Sequence, residues 1–138
     1  MKRFLVISLL TLFALSCTLS AFAVSASCSG STSGGSAGTT SCSGLLVGND
    51  SSSAGNDSAY ADTHALKSGK LTATCSIAYG GQYTNSKSRN GNGTGITSPT
   101  AYVPSGYHAT RANGSHKFSS DDYGSWAKST RVKFTLGN

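Results

Sequence analysis

Residues 106–136 read GYHATRANGSHKFSSDDYGSWAKSTRVKFTL, and this stretch decides the fold class. It holds the single Trp, two of the three His and five of the nine basic residues that lie outside the N-terminal leader. Asn113-Gly114 sits between two runs that alternate apolar and polar residues. A two-residue type I′ turn needs φ > 0 at both central positions, which Asn and Gly tolerate best, so this pair is expected to close a β-hairpin. In that register Arg111 faces His116, Thr110 faces Lys117 and Ala109 faces Phe118. Side chains alternate faces along a strand. Tyr107, Ala109 and Phe118 then share a core side, and His108, Thr110 and Lys117 point to solvent.

Working outward, residues 67–79 form the longest strand candidate. Leu71, Ala73, Cys75, Ile77 and Tyr79 fall on one face, with Lys70, Thr72, Thr74 and Ser76 on the other. Gly80-Gly81 ends that run, and Gln82-Tyr83-Thr84 starts a return strand. Residues 85–97 (NSKSRNGNGTGIT) have the composition of a loop. Ala101-Tyr102-Val103 leads into a turn at Pro104-Ser105-Gly106. At the C-terminal end Trp126, Val132, Phe134 and Leu136 share a face, while Arg131, Lys133 and Thr135 face away. No window shows helical periodicity. Short strands separated by turn signals predict an all-β chain, a small antiparallel β-sandwich or barrel.

The N-terminal end reads differently. Lys2 and Arg3 precede an apolar run over residues 4–15, the length of a signal h-region and too short to span a bilayer. Ala21-Phe22-Ala23 is an A-x-A cleavage site, with Val24-Ser25-Ala26 as a second. The expected organisation is a signal peptide over 1–23, a flexible Ser/Gly-rich arm over 24–43 and a single β domain over 44–138. Residues 24–43 carry too little apolar surface to repay their ordering entropy. Ser-Cys-Ser-Gly occurs twice, at 27–30 and 41–44, and Gly-Asn-Asp-Ser twice, at 48–51 and 55–58. Asp50, Asp57 and Asp62 could gather Ca²⁺, but their spacing matches no calcium loop, and no metal or other cofactor is expected. The protein is expected to be secreted and extracellular, monomeric and not membrane-spanning.

Charge is divided along the chain. Residues 24–62 carry three Asp and no Lys or Arg, whereas residues 63–138 carry nine basic residues against Asp121 and Asp122, a formal +7. Such a half suits an anionic partner. Of the cysteines, Cys28, Cys42 and Cys75 remain after the leader. Export permits a disulfide, and Cys42–Cys75 is the pairing expected, leaving Cys28 free. The competing reading of Cys75 is a small buried hydrophobe.

Catalytic groups are few. There is no Glu, no G-x-S-x-G elbow and no C-x-x-C pair. His108 and His116 could serve a small basic secreted nuclease as acid and base, but the hairpin register puts them on opposite faces, with His116 near the turn beside Arg111. Catalytic residues are therefore expected to be none, and no nucleic-acid partner is expected.

His116, a polar stretch and then Gly124-Ser125-Trp126-Ala127-Lys128 give the C-terminal half a resemblance to lactococcin-type bacteriocins. That resemblance implies an exported, basic β-sandwich peptide that acts on cell-wall synthesis in neighbouring cells without enzymatic activity. The chain departs from the family in its length, its cysteine-bearing Ser-rich segment and the lack of an aromatic-rich C-terminus.

Two functional readings follow. One is a secreted non-enzymatic β-module binding an anionic or carbohydrate surface polymer, or a cell-wall precursor, through Lys70, Arg131, Lys133, Trp126 and Tyr107. The other is a secreted bacteriocin-like antibacterial toxin.

Overall fold

The computed structural model describes residues 21–137, and every regular element among them is a β-strand. The strands are β1 (Ala21–Ser31), β2 (Ser41–Ser51), β3 (Ser58–Tyr79), β4 (Tyr83–Thr97), β5 (Ala101–Tyr102), β6 (Ala109–Ser120) and β7 (Gly124–Lys133). All pair antiparallel in the order β1-β2-β3-β6-β7, with β4 and β5 on the other edge of β3. Of the signal peptide expected over 1–23, residues 1–20 lie outside the described residues, and Ala21-Phe22-Ala23 open β1.

β3 organises the sheet because its period-two pattern continues through a bend. Ala59, Ala61, Thr63 and Ala65 are buried in its first half, and Leu71, Ala73, Cys75 and Ile77 in its second. The first half pairs with β2, from Ser58 opposite Asn49 to Ala65 opposite Cys42. The second half pairs with β6, from Lys70 opposite Ser119 to Tyr79 opposite Ala109. β4 follows the other edge of both halves, with a register shift between His64 and Gly69. The sheet thereby curls into a half-barrel. At the bend a Cβ on residue 69 would fall into the Phe118 ring, so this close approach requires Gly69. The Ser33 amide donates to the Ser125 carbonyl at 2.9 Å and the Ser125 amide to the Ser33 hydroxyl at 3.0 Å, which ties the end of β1 to the start of β7.

The interior has two apolar clusters. One gathers Leu46, Ala73, Cys75, Ile77, Val132 and Phe134; the other holds Cys42, Ala65, Leu71, Phe118 and Trp126. Burying a Leu, Ile or Phe side chain contributes roughly 1.5–3 kcal/mol. Between the clusters in register sits His116, fully buried, with Thr63 and Thr130 on either side of its ring.

The all-β antiparallel expectation holds, and so do the faces of residues 70–79 and 126–134. The turn at Asn113-Gly114 does not. Both residues lie inside β6, and the hairpin closes at Asp121-Asp122-Tyr123 with Gly124 at φ 80°. Gly114 is needed for space rather than for positive φ, because a Cβ there would strike the Thr130 hydroxyl and approach His116 Nε2 to 2.8 Å. His116 is correspondingly a core residue, not a surface neighbour of a turn.

Residues 85–97, expected as loop, form most of β4. Polar rungs hold it in place of apolar alternation: Thr72 donates to Asn90 Oδ1 at 2.7 Å, and the hydroxyl pairs Thr74–Ser88 and Ser76–Ser86 lie at 2.8 and 2.9 Å. The segment expected as a flexible arm, 24–43, carries most of β1 and the start of β2, fully paired with each other. Its two Ser-Cys-Ser-Gly copies lie antiparallel, with Cys28 opposite Gly44 and Gly30 opposite Cys42. Those glycines let bulk approach from the facing strands. A Cβ on Gly44 would enter the His116 ring, and one on Gly30 would come within 2.9 Å of Trp126 Nε1.

The Gly-Asn-Asp-Ser repeat is structural in both copies. Asp57 accepts from the amides of Ser51 and Ala109, each at 2.7 Å. Asp50 accepts from the amides of Thr135 at 2.7 Å and Leu136 at 3.1 Å. Both carboxylates are fully buried and tie distant segments together, which occupies the oxygens a calcium ion would need. The expected Cys42–Cys75 disulfide is absent. Both thiols are free and buried, and they belong to different clusters, because Cys42 faces the Phe118 side and Cys75 the Ile77 side of the interior.

Candidate binding face

The outer face of the half-barrel over β4, β3, β6 and β7 can be read from the register. Rows of four residues run across it: Asn90, Thr72, Lys117, Ala127; then Ser88, Thr74, Ser115, Ser129; then Ser86, Ser76, Asn113, Arg131; then Thr84, Ala78, Arg111, Lys133. Their alternates point inward and are buried on β3 and β6, which fixes these as the outer set. Hydroxyls and amides dominate the face. Lys70, Lys117, Arg111, Arg131 and Lys133 stand on it, all exposed.

These cations lack acidic partners. None has a carboxylate within salt-bridge distance among the described residues. Arg131 Nε donates to Asn113 Oδ1 at 2.8 Å, which orients its guanidinium across the face. Arg111 stands directly opposite Lys133 on the neighbouring strand. Like charges placed so are destabilising. At the Lys70 end a groove of about 610 Å³ is lined by Lys70, Asn92, Ser119 and Ser125, with Asp121 at its rim. The unopposed positive charge is therefore concentrated at the Arg111 end.

Of the residues expected to bind, the structure brings Lys70, Arg131 and Lys133 onto one face. It separates the other two from them. Trp126 points inward, is 6 % exposed and packs with Phe118 and Leu71, so it offers no stacking surface. Tyr107 is 43 % exposed and belongs to a cluster with Tyr79 and Tyr83, whose rings share the inward parity of β3 and β4 at the end of the sheet. Arg111 escapes a sequence reading because a hairpin at Asn113-Gly114 sets it against His116, whereas the true register sets it against Lys133.

The histidines occupy separate environments. His108 Nδ1 lies 3.5 Å from Asp57 Oδ2, a carboxylate already engaged by two backbone amides. His116 is enclosed. Burial pushes its pKa down, against the smaller raising effects of the Asp62 carbonyl and carboxylate. Burial likewise pushes the Cys75 thiol up to about 11. Among the described residues no group of three or more His, Cys, Asp or Glu is arranged to hold a metal ion, and no helix is long and apolar enough to cross a membrane.

Neither family models, curated proteins nor solved structures give a match to this chain. The residues that carry the bacteriocin resemblance fall in two environments, with Ser125, Ala127 and Lys128 exposed. His116 and Trp126 are buried, and Gly124 and Lys128 pair with Ser120 and His116 in the β6–β7 hairpin.

Proposed function

We propose that this chain is a secreted, non-enzymatic β-module that binds an anionic surface polymer through the outer face of β4, β3, β6 and β7. One observation carries the reading: five exposed cations share a face without acidic partners, and two of them, Arg111 and Lys133, stand directly opposite each other. A fold that gains nothing from this repulsion keeps it usefully where a polyanion neutralises it. The surrounding Ser, Thr and Asn side chains supply neutral donors for the same oxygen-rich ligand.

The test is sedimentation of the purified chain with an insoluble anionic polymer at rising salt. The double variant Arg131→Ser, Lys133→Ser should lose most attachment, and wild-type attachment should fade as the Debye length shrinks from about 10 Å at 0.1 M toward 3 Å at 1 M. Attachment that ignores both the substitutions and the salt would sink the reading. The toxin reading predicts instead growth inhibition on lawns of related bacteria.

A further inference from the structure

β4 is two-sided. Its outward residues belong to the face above. Its other side chains, at Tyr83, Asn85, Lys87 and Arg89, stand in register with Tyr79, Ile77, Cys75 and Ala73, and all four remain at least partly exposed because β4 is an edge strand. Tyr83 stacks on Tyr79 at a centroid distance of 5.9 Å, and Tyr107 closes on both rings edge-first, at 5.4 Å from Tyr79 and 6.4 Å from Tyr83. Gly80, at φ 56°, brings these rings together, since a Cβ there would lie 3.0 Å from both Tyr83 and Tyr107. Three rings so locked form a pre-set platform, with Tyr83 still 52 % exposed. Next along the strand, Asn85 donates through Nδ2 to the Tyr102 carbonyl at 2.9 Å, which fixes its orientation. Lys87 and Arg89 follow, with no carboxylate partner among the described residues.

We infer that this strip binds a glycan carrying acidic groups, one sugar ring on the tyrosine platform and its carboxylates or sulfates against Lys87 and Arg89. The inference rests on the polymer-binding reading and names the polymer's class. From Tyr83 to Arg89 is about 20 Å of strand, so the ligand is an oligomer rather than a single sugar. The order of groups favours a glycan over a single-stranded nucleic acid. Bases need successive stacking surfaces along the backbone track, whereas this strip has one platform followed by an amide and two cations. A polyanion without rings would leave the platform unused.

Polygalacturonate, dextran, polyphosphate and oligo-dT are the probes, with tyrosine fluorescence and sedimentation as readouts. Polygalacturonate should bind best. Tyr83→Ala and the double variant Lys87→Ser, Arg89→Ser should each weaken it by about tenfold, with far-UV circular dichroism unchanged in both. Melting should stay unchanged in the exposed Lys87, Arg89 pair and fall modestly in Tyr83→Ala, which removes a packed ring. Equal binding of polyphosphate, tighter binding of oligo-dT, or indifference to Tyr83→Ala would overturn the inference. If polygalacturonate binding is lost only in Arg131→Ser, Lys133→Ser, the strip is wrong and the outer face stands. If neither set of variants matters, both readings fall.

Discussion

His116 Nε2 lies 2.9 Å from the Thr130 hydroxyl, while its Nδ1 lies 3.2 Å from the hydroxyl of Thr63. The Thr63 hydroxyl already donates to the Thr72 carbonyl at 2.9 Å. Its oxygen can therefore only accept, so Nδ1 carries the proton and Nε2 accepts from Thr130. The neutral ring is the form this site holds. It joins β3, β6 and β7 at the junction of the two apolar clusters, and it explains why residues 44 and 114, which touch the ring from two sides, are both glycine.

This arrangement predicts acid sensitivity. The folded protein keeps His116 neutral, with its pKa lowered by burial, and the unfolded chain protonates it near pH 6.5. Below that pH the unfolded chain binds more protons, so this contribution to stability is complete above about pH 6.5 and declines as pH falls toward the folded pKa. An NMR titration of the imidazole should give a midpoint under 6.5. A midpoint at or above 6.5 would contradict the buried neutral ring. His116→Ala should cost on the order of 2–4 kcal/mol through the cavity and the Thr130 hydroxyl that loses its acceptor.

Gly114→Ala should destabilise by about 1–3 kcal/mol through overpacking, although its φ is not positive. Its new Cβ meets the Thr130 hydroxyl and His116. The double variant with Thr130→Ala should then cost less than the sum of the two single changes, since each relieves part of the other's damage. Strict additivity in thermal melts would place the cost elsewhere.

Asp50 and Asp57 should be intolerant of truncation. Alanine at either position removes a fully buried carboxylate that holds two distant backbone amides, a loss of about 1–3 kcal/mol. The same change at exposed Asp121 should stay within about 0.5 kcal/mol. Addition of Ca²⁺ should not raise the melting temperature, because the buried carboxylate oxygens are filled by Ser51, Ala109, Thr135 and Leu136. A calcium-dependent rise would refute the structural role.

Thiol chemistry should rank by burial. Partly exposed Cys28 should react first with a chromogenic disulfide, and Cys75, held at about pKa 11, only on unfolding. In denaturant all three should titrate without prior reduction. Finding a single thiol there would restore the Cys42–Cys75 bridge.

The legibility of this chain follows its hydrophobic alternation. Residues 70–77 and 131–134 announce their faces because apolar and polar residues strictly alternate there, and Lys70, Arg131 and Lys133 inherit a correct outward placement. β1 and β4 escape because few of their inward positions are large apolar residues. β1 turns Val24, Ala26, Cys28 and Gly30 inward, and β4 turns Asn85, Lys87, Arg89 and Gly91 that way while hydroxyl rungs hold its outer side. The Asn-Gly at 113–114 misleads as well: its glycine makes room for the Thr130 hydroxyl directly opposite on β7 and for the His116 ring two residues along β6, which no local turn rule can anticipate. Trp126 looks like a ligand platform until its packing against Phe118 is seen.

The pairing of Arg111 with Lys133 yields the sharpest separation of stability from binding. Lys133→Glu replaces a repulsive cross-strand neighbour with an attractive one, and opposite charges at such positions contribute roughly 0.2–1 kcal/mol. The variant should melt at a slightly higher temperature than the parent at low salt, and that gain should shrink as salt screens the pair. Attachment to an anionic polymer should weaken at the same time, because the face loses two units of positive charge where its cations are densest. A variant both less stable and equally adherent would mean that Lys133 is held by the fold rather than by a ligand, and the outer face would lose its claim to be the binding surface.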